Sequence, residues 1–313
     1  MKNNYKVITK SQSNYNVYTH NACNNKVITS QKSNYNIITK TLMYYIVITF
    51  SLPAMALTFT SDMTDGQLVF GKTDPDEKLF IENNYLNIGK NDKNLFQIPT
   101  DLNGRFAIGI PQDATQLTLT VQTSTHSKIM TFPVKPRIWD EEYVTGLHPS
   151  KVQPNPKNQE RIAAEALSMR LARQQSNYPA FPEKWICPVP NFTRVSSHFG
   201  SRRILNNIKK QGHSGTDLAA PIGSSVVAPA DGKVVFVHPD LFLTGQTVMI
   251  DHGFGVFSSY SHMSQIKVEL NQSVKQGDPI GLVGQTGRAT GPHLHWTVTW
   301  YGVRINPEDL ILF

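Results

Sequence analysis

Cysteine is nearly absent from this chain: 313 residues contain two, Cys23 and Cys187. That rules out a thiolate cage around a metal and a disulfide framework, so stability must come from a core. The apolar stretch from Leu42 to Leu52 falls short of the roughly twenty residues a membrane-spanning helix needs, and no stable span is expected. No H-E-x-x-H occurs, which excludes the helical zinc site in which two histidines share one face. Acidic residues are missing altogether from residues 1–56, which hold six lysines and no arginine. The formal charge of +7 therefore belongs to this leader, and the remainder carries 24 basic against 23 acidic residues. A nucleic-acid partner is not expected from so balanced a body.

What the chain does have is His213-Ser-Gly-Thr-Asp217, answered far downstream by His293-Leu-His295. Three residues of these two clusters suffice to hold one zinc ion and leave a coordination position open, the pattern of catalytic rather than structural zinc. In a strand His293 and His295 share a face while Leu294 points into a core. Trp296-Thr-Val-Thr-Trp300 favours a strand there. Gly215 between His213 and Asp217 argues against a helix and for an extended loop entering a strand.

These residues lie within a longer run of motifs. Phe199-Gly-Ser-Arg202 precedes His213-Ser-Gly-Thr-Asp217-Leu-Ala-Ala-Pro221 and Val227-Ala-Pro-Ala-Asp-Gly-Lys-Val234. Tyr260-Ser-His262, Val274-Lys-Gln-Gly277, Gly284-Gln-Thr-Gly287 and Thr290-Gly-Pro-His-Leu-His295 follow. In this order the stretch from about Val195 to Pro307 resembles the lysostaphin/LytM-type zinc metallopeptidases, which cut peptide bonds in bacterial peptidoglycan. The resemblance implies Zn2+ ligands His213, Asp217 and His295, with His262 and His293 as the catalytic pair across the open site. Either can serve as general base, because a neutral imidazole accepts a proton from water and later returns one. The other would donate to the developing oxyanion. His126, His148, His238 and His252 match no ligand position and read as surface or turn residues. His198 is placed at the groove's rim, Arg202 as a brace or a carboxylate contact, and Tyr260 in the core.

Ahead of these motifs the chain is organised in three parts. Residues 1–56 carry a ten-residue repeat in five copies, such as Asn4-Tyr-Lys-Val-Ile-Thr9 and Asn34-Tyr-Asn-Ile-Ile-Thr39. The segment is Asn/Ser/Lys-rich, and no fixed structure is expected of it. Its last copy runs into Leu42–Leu52 and Pro53-Ala-Met-Ala56, which reads as a secretory signal cleaved after Ala56. Export follows, most readily to the periplasm. Residues 57–136 read as a small β-sandwich: Gln67–Phe70, Lys78–Ile81, Phe106–Ile110, Gln116–Val121 and Ile129–Phe132 are candidate strands between turn signals. Residues 137–184 form a Pro-rich connector, with a helix over Asn158 to Gln175 whose arginines Arg161, Arg170 and Arg173 face solvent. Residues 185–313 complete a mainly β chain as an antiparallel catalytic domain. Cys187 reads as a small buried apolar residue.

Two function classes fit. One is a zinc endopeptidase acting on peptidoglycan stem and cross-link peptides, with D-Ala–diaminopimelate cross-links as the favoured bond. The other is a non-catalytic relative that activates cell-wall amidases, with regulator proteins as partners. Degenerate members lack ligands, whereas all five chemical positions are filled here.

Overall fold

The computed structural model describes residues 5–11, 14–20, 57–82, 85, 95–145, 152–174, 176–179, 181, 184–206, 208–209 and 211–311. The proposed signal and its cleavage point, and His148, lie outside them. In the leader, Tyr5–Ser11 and Asn14–His20 pair antiparallel, from Tyr5↔His20 to Ser11↔Asn14. The β-branched residues of each repeat copy favour strands, so two copies form a hairpin where the composition alone suggested none.

From Leu57 onward, alternation dictates a sandwich. Gln116–Gln122 buries Leu117, Leu119 and Val121 and exposes or half-exposes the residues between. This strand joins Lys78–Glu82, Leu95–Ile98 and Ser127–Pro133 in a four-stranded sheet. Thr58–Phe59, Leu68–Lys72 and Arg105–Gly109 form a three-stranded one. All five candidate strands are present; the short Thr58–Phe59 and Leu95–Ile98 pieces were not legible.

The larger sheet has the order Arg194–Ser197, Thr216–Ala219, His293–Trp300, Val256–Met263, Gly245–Asp251, Gly232–Leu241, Ser273–Val274, and Val303–Ile305 pairs beside His293–Trp300. Every pairing in it is antiparallel. Among the described strands one pairing departs from the expected antiparallel pattern: Glu141–Val144 of the connector runs parallel to Arg202–Leu205, and Thr64 and Lys135 form an isolated parallel bridge. Parallel strands need a long crossover, and here the connector and its helix are that crossover.

The sandwich abuts the large sheet through one continuous apolar core, which runs from Leu79 and Phe106 to Trp296, Trp300 and Ile305. Gly109 is required at the joint, since a Cβ there would lie 2.7 Å from both Ile305 Cδ1 and Trp300 Cβ. The connector helix spans Pro156–Ala172, two residues earlier than expected, because Asn155 Oδ1 caps the Asn158 amide and Pro156 suits the first turn. The helix buries no residue completely. It is tied down by polar contacts: Arg161 donates to the Asp240 carbonyl at 2.5 Å, and Glu165 accepts from the Phe242 amide at 2.9 Å.

Beyond the helix, the buried Asp251 carboxylate accepts from Ser176 Oγ and from the amides of Asn177, Tyr178 and Gly253 at 2.7–3.1 Å. Removing an acceptor leaves buried donors unsatisfied at about 1–3 kcal/mol each. Asp251→Ala is therefore expected to cost about 3 kcal/mol in denaturant unfolding and to open the 174–184 segment to limited proteolysis. An unchanged midpoint and cleavage pattern would refute the anchor.

Candidate metal centre

Strand register builds the site. Asp217 lies opposite His295, and Ala219 opposite His293, on adjacent antiparallel strands. All four residues therefore face one side of the sheet, while Leu218 and Leu294, both fully buried, face the other. His213 arrives from the preceding loop. A Cβ at Gly215 would lie 2.2 Å from the Trp296 carbonyl oxygen, so glycine alone lets that loop close over the strand. The donors converge: His213 Nε2 is 3.0 Å from His295 Nδ1 and 3.1 Å from Asp217 Oδ1, and His295 Nδ1 is 2.7 Å from the same oxygen. Three ligands at zinc bond lengths of about 2.0–2.2 Å would stand roughly 3.3 Å apart, so this triangle is close to one face of a tetrahedron.

The hydrogen bonds behind these atoms decide whether a cation fits. His213 Nδ1 donates to the His198 carbonyl at 3.0 Å, with Ser197 Oγ at 2.9 Å, which leaves its Nε2 as a bare lone pair. Ser197 in turn donates to Glu142 Oε2 at 2.5 Å. His295 Nε2 faces Ser214 Oγ at 3.3 Å, leaving Nδ1 toward the triangle. Two imidazole lone pairs and a carboxylate oxygen thus crowd one another, and a shared cation relieves the repulsion. Backing of the outer ring nitrogen is the usual device for orienting metal-bound histidine. Burial alone would raise the Asp217 carboxyl, but the His213 and His295 imidazoles outweigh it and hold Asp217 well below the usual carboxylate range. It stays anionic, as a cation-binding carboxylate must.

His262 reaches the site by an irregularity. Its neighbour Ser261 pairs with His295 and Tyr260 with Trp296, so strict alternation would turn His262 toward the core. A register shift against the Gly245–Asp251 strand and a left-handed backbone at His262, φ 63°, re-aim it into the groove. Its ring lies 4.8 Å from that of His293 and 6.0 Å from that of His295. His262 Nδ1 donates to the Thr286 carbonyl at 2.7 Å, and His293 Nδ1 to the Gly291 carbonyl at 2.8 Å. Each therefore presents an unprotonated Nε2. Burial, reinforced by His293 and His295, depresses His262 to about 3.

The five expected residues and the groove above them line a cavity of about 560 Å3. Sequence reasoning missed Glu142, Arg194, Arg288 and Arg304 in its walls. Arg194 sits in the row Arg194, Ala219, His293, a placement only the register reveals. His198 and Arg202 are not among the lining residues. His198 Nδ1 pairs with Glu308 at 2.9 Å, which braces it, and the Arg202 backbone amide donates to the Asp140 carbonyl. Tyr260 is fully buried, as expected. Cys187 is half-buried, its thiol pushed up by burial and donating to the Val189 carbonyl.

Residues 211–307 match the model of peptidase family M23. The chain carries a peptidase family M23 domain. The chain is 43% identical over 122 residues to the peptidoglycan DD-endopeptidase ShyA of Vibrio cholerae serotype O1, spanning 38% of this chain and 28% of that protein. It is 42% identical over 123 residues to the DD-carboxypeptidase/endopeptidase Mpg of Neisseria meningitidis serogroup B, spanning 39% and 28%. The match thus spans little more than a quarter of these relatives' length. The likeness of fold reaches beyond the M23 domain: a crystal structure of an M23 peptidase from Pseudomonas aeruginosa covers 80% of this chain and 96% of its own, with a TM-score of 0.57 and 28% identity.

His252 lies in the turn between the Gly245–Asp251 and Val256–Met263 strands, as expected of a turn residue, but it is not on the surface. It is completely buried behind the M23 sheet, where Nδ1 donates to the Asp231 carbonyl and Nε2 accepts from Ser258 Oγ at 2.7 Å. Burial lowers it to about 4. Between that value and about 6.5 the unfolded chain binds a proton that the folded chain refuses, so stability is full above about 6.5 and lost as pH falls toward 4. This group alone accounts for on the order of 3 kcal/mol. His252→Asn should show a shallower loss of denaturant midpoint between pH 7 and pH 4 than the parent protein. Identical slopes would refute the assignment.

Proposed function

We propose that this chain is a zinc-dependent endopeptidase of the bacterial cell wall that hydrolyses peptide bonds in peptidoglycan, with D-Ala–diaminopimelate cross-links as its bond. The observation that carries this reading is the convergence of His213 Nε2, Asp217 Oδ1 and His295 Nδ1 beneath two histidines with bare Nε2 atoms. The names of the relatives, DD-endopeptidase and DD-carboxypeptidase/endopeptidase, support the substrate. His213, Asp217 and His295 would hold the ion, and zinc supplies Lewis acidity to the scissile carbonyl and to the attacking water.

The remaining chemistry belongs to the two free histidines. Depressed to about 3, His262 resists positive charge, so its Nε2 serves as a neutral acceptor that orients the water or the substrate amide. His293 lies toward the groove and has 13% of its side chain exposed. It is the base: Nε2 takes the proton from the attacking water, and the imidazolium so formed returns it to the leaving amine. The Gly291 carbonyl accepts from Nδ1 throughout and steadies that charge.

The amidase-activator alternative is disfavoured because all five chemical positions are filled. Location follows substrate: an enzyme of cell-wall peptides must be exported, and we assign it to the periplasm, with residues 1–56 as leader and signal. Among the described residues no helix is long and apolar enough to cross a membrane. In the same reading, residues 57–136 and the 137–184 connector are accessory parts that wall the 185–313 catalytic domain.

Purified protein should release muropeptides from peptidoglycan, lose activity on chelation and regain it with zinc. His295→Ala should abolish both metal binding and activity. His293→Ala should keep the metal and lose at least a hundredfold in kcat, in line with general-base contributions of about 10²–10⁴. Activity that survives chelation or His295→Ala would sink the zinc mechanism. Mass spectrometry of the released fragments identifies the bond.

A further inference from the structure

A chain of hydrogen bonds runs from His213 out of the catalytic sheet. His213 Nδ1 lies 2.9 Å from Ser197 Oγ, and Ser197 Oγ donates to Glu142 Oε2 at 2.5 Å. Ser197 ends the Arg194–Ser197 strand opposite Asp217, whereas Glu142 comes from the connector, 55 positions earlier in the chain. Backbone delivers the carboxylate. Glu142 lies opposite Arg203 in the parallel ladder, between Glu141 and Tyr143, which are both exposed. Alternation therefore turns Glu142 inward, where it is half-buried and lines the same cavity as Ser197, His213 and Asp217. Ser197 and His213 are both buried, so the hydroxyl between them is held by its two partners rather than by solvent.

The ends of the chain set its protons. A carboxylate only accepts, so the Ser197 proton points at Glu142 and an oxygen lone pair at the His213 Nδ1 proton. The His198 carbonyl, 3.0 Å from the same nitrogen, already holds that tautomer. What Glu142 adds is charge. Asp217 is the one carboxylate among the three converging donors, and Glu142 brings a second negative charge to bear through one hydroxyl. Outer partners of a metal-bound histidine orient the ring and strengthen it as a donor, and their loss costs about 10–100-fold in metal affinity.

We infer that Glu142 is a positioning residue of the metal centre: a carboxylate from the connector that strengthens His213 as a ligand through Ser197 and raises the affinity of the chain for zinc. The inference rests on the zinc reading above. It makes the connector part of the metal site, although none of the three donors comes from it.

Zinc affinity of the full chain, read by competition with a chromophoric chelator, tests this without any turnover. Glu142→Gln keeps an acceptor for Ser197 and removes the charge, and it should raise the zinc Kd about tenfold. Ser197→Ala breaks the chain and should weaken zinc by a similar factor. In the Ser197→Ala background Glu142→Gln should then change Kd by less than about threefold, because the link that couples them is gone. A change below about threefold for Glu142→Gln alone overturns the inference. An undiminished loss in the Ser197→Ala background overturns it too, since a wall contact that merely supports the groove weakens zinc in both backgrounds alike. Glu142→Gln alters charge alone at a half-buried position, so its result stands even where Ser197→Ala fails to fold. A parent chain that binds no zinc overturns the zinc reading and this inference with it. A parent that binds zinc and is indifferent to Glu142→Gln overturns the inference alone.

Discussion

Everything at the metal centre depends on one register, Asp217 opposite His295. Side chains alternate strictly along a strand, so a slip of one residue would send Asp217, His293 and His295 into the core and Leu218 and Leu294 into the groove. The apolar side of the sheet forbids that slip. Leu218, Leu294, Trp296 and Val298 are fully buried, and exposing them would cost on the order of 1.5–3 kcal/mol each. The core thus fixes the position of the ligands, although no core residue touches the metal site. On the groove side the same pairing places a carboxylate between two imidazoles in a nearly dry setting. There Asp217 remains ionised because His213 and His295 outweigh the penalty of burial.

The second constraint is the local failure of alternation at His262. A regular strand would supply Ser261 to the groove and nothing else from that end. The bulge and the left-handed backbone add one more side chain on the groove face, at a strain cost of order 1–3 kcal/mol. The surrounding bonds over-determine it: the His262 amide donates to the Thr244 carbonyl, and the ring donates to Thr286. His262 and His293 then differ through their surroundings rather than through their tautomers. Both have a carbonyl acceptor at Nδ1 and a bare Nε2, but His262 is the more deeply sunk. That asymmetry is what the proposed division into a neutral orienting group and a base rests on.

How much of this was legible follows from the range of each signal. His293 and His295 on one strand face, the loop entry of Asp217, the sandwich strands and the connector helix all rest on local alternation or capping. They could be read within a few residues. Arg194 and Arg304 gave no such signal, because their place depends on which strands become neighbours. His252 looked like a turn residue next to Gly253 and Asp251. Its burial follows from Trp185, 67 positions earlier, whose ring lies 4.7 Å from the imidazole. The parallel pairing of Glu141–Val144 was equally hidden, since it joins the connector to a strand beyond the helix.

That pairing changes what the connector does. A linker held only at its ends would leave the groove open to one side. This one is fixed at Glu141–Val144 by a strand ladder, at Arg161 and Glu165 by the 240–242 backbone, and at 176–178 by Asp251. The first two anchors land on elements that also shape the groove. Glu142 lines it and accepts from Ser197 behind His213. The 240–242 turn leads into Leu243 and Thr244 of the wall, and Leu243 in turn accepts from the Arg288 amide. A change in the connector is therefore transmitted to the walls through hydrogen-bonded backbone rather than through loose contacts. The groove's shape is set jointly by the M23 sheet and by a segment that supplies none of the three converging donors.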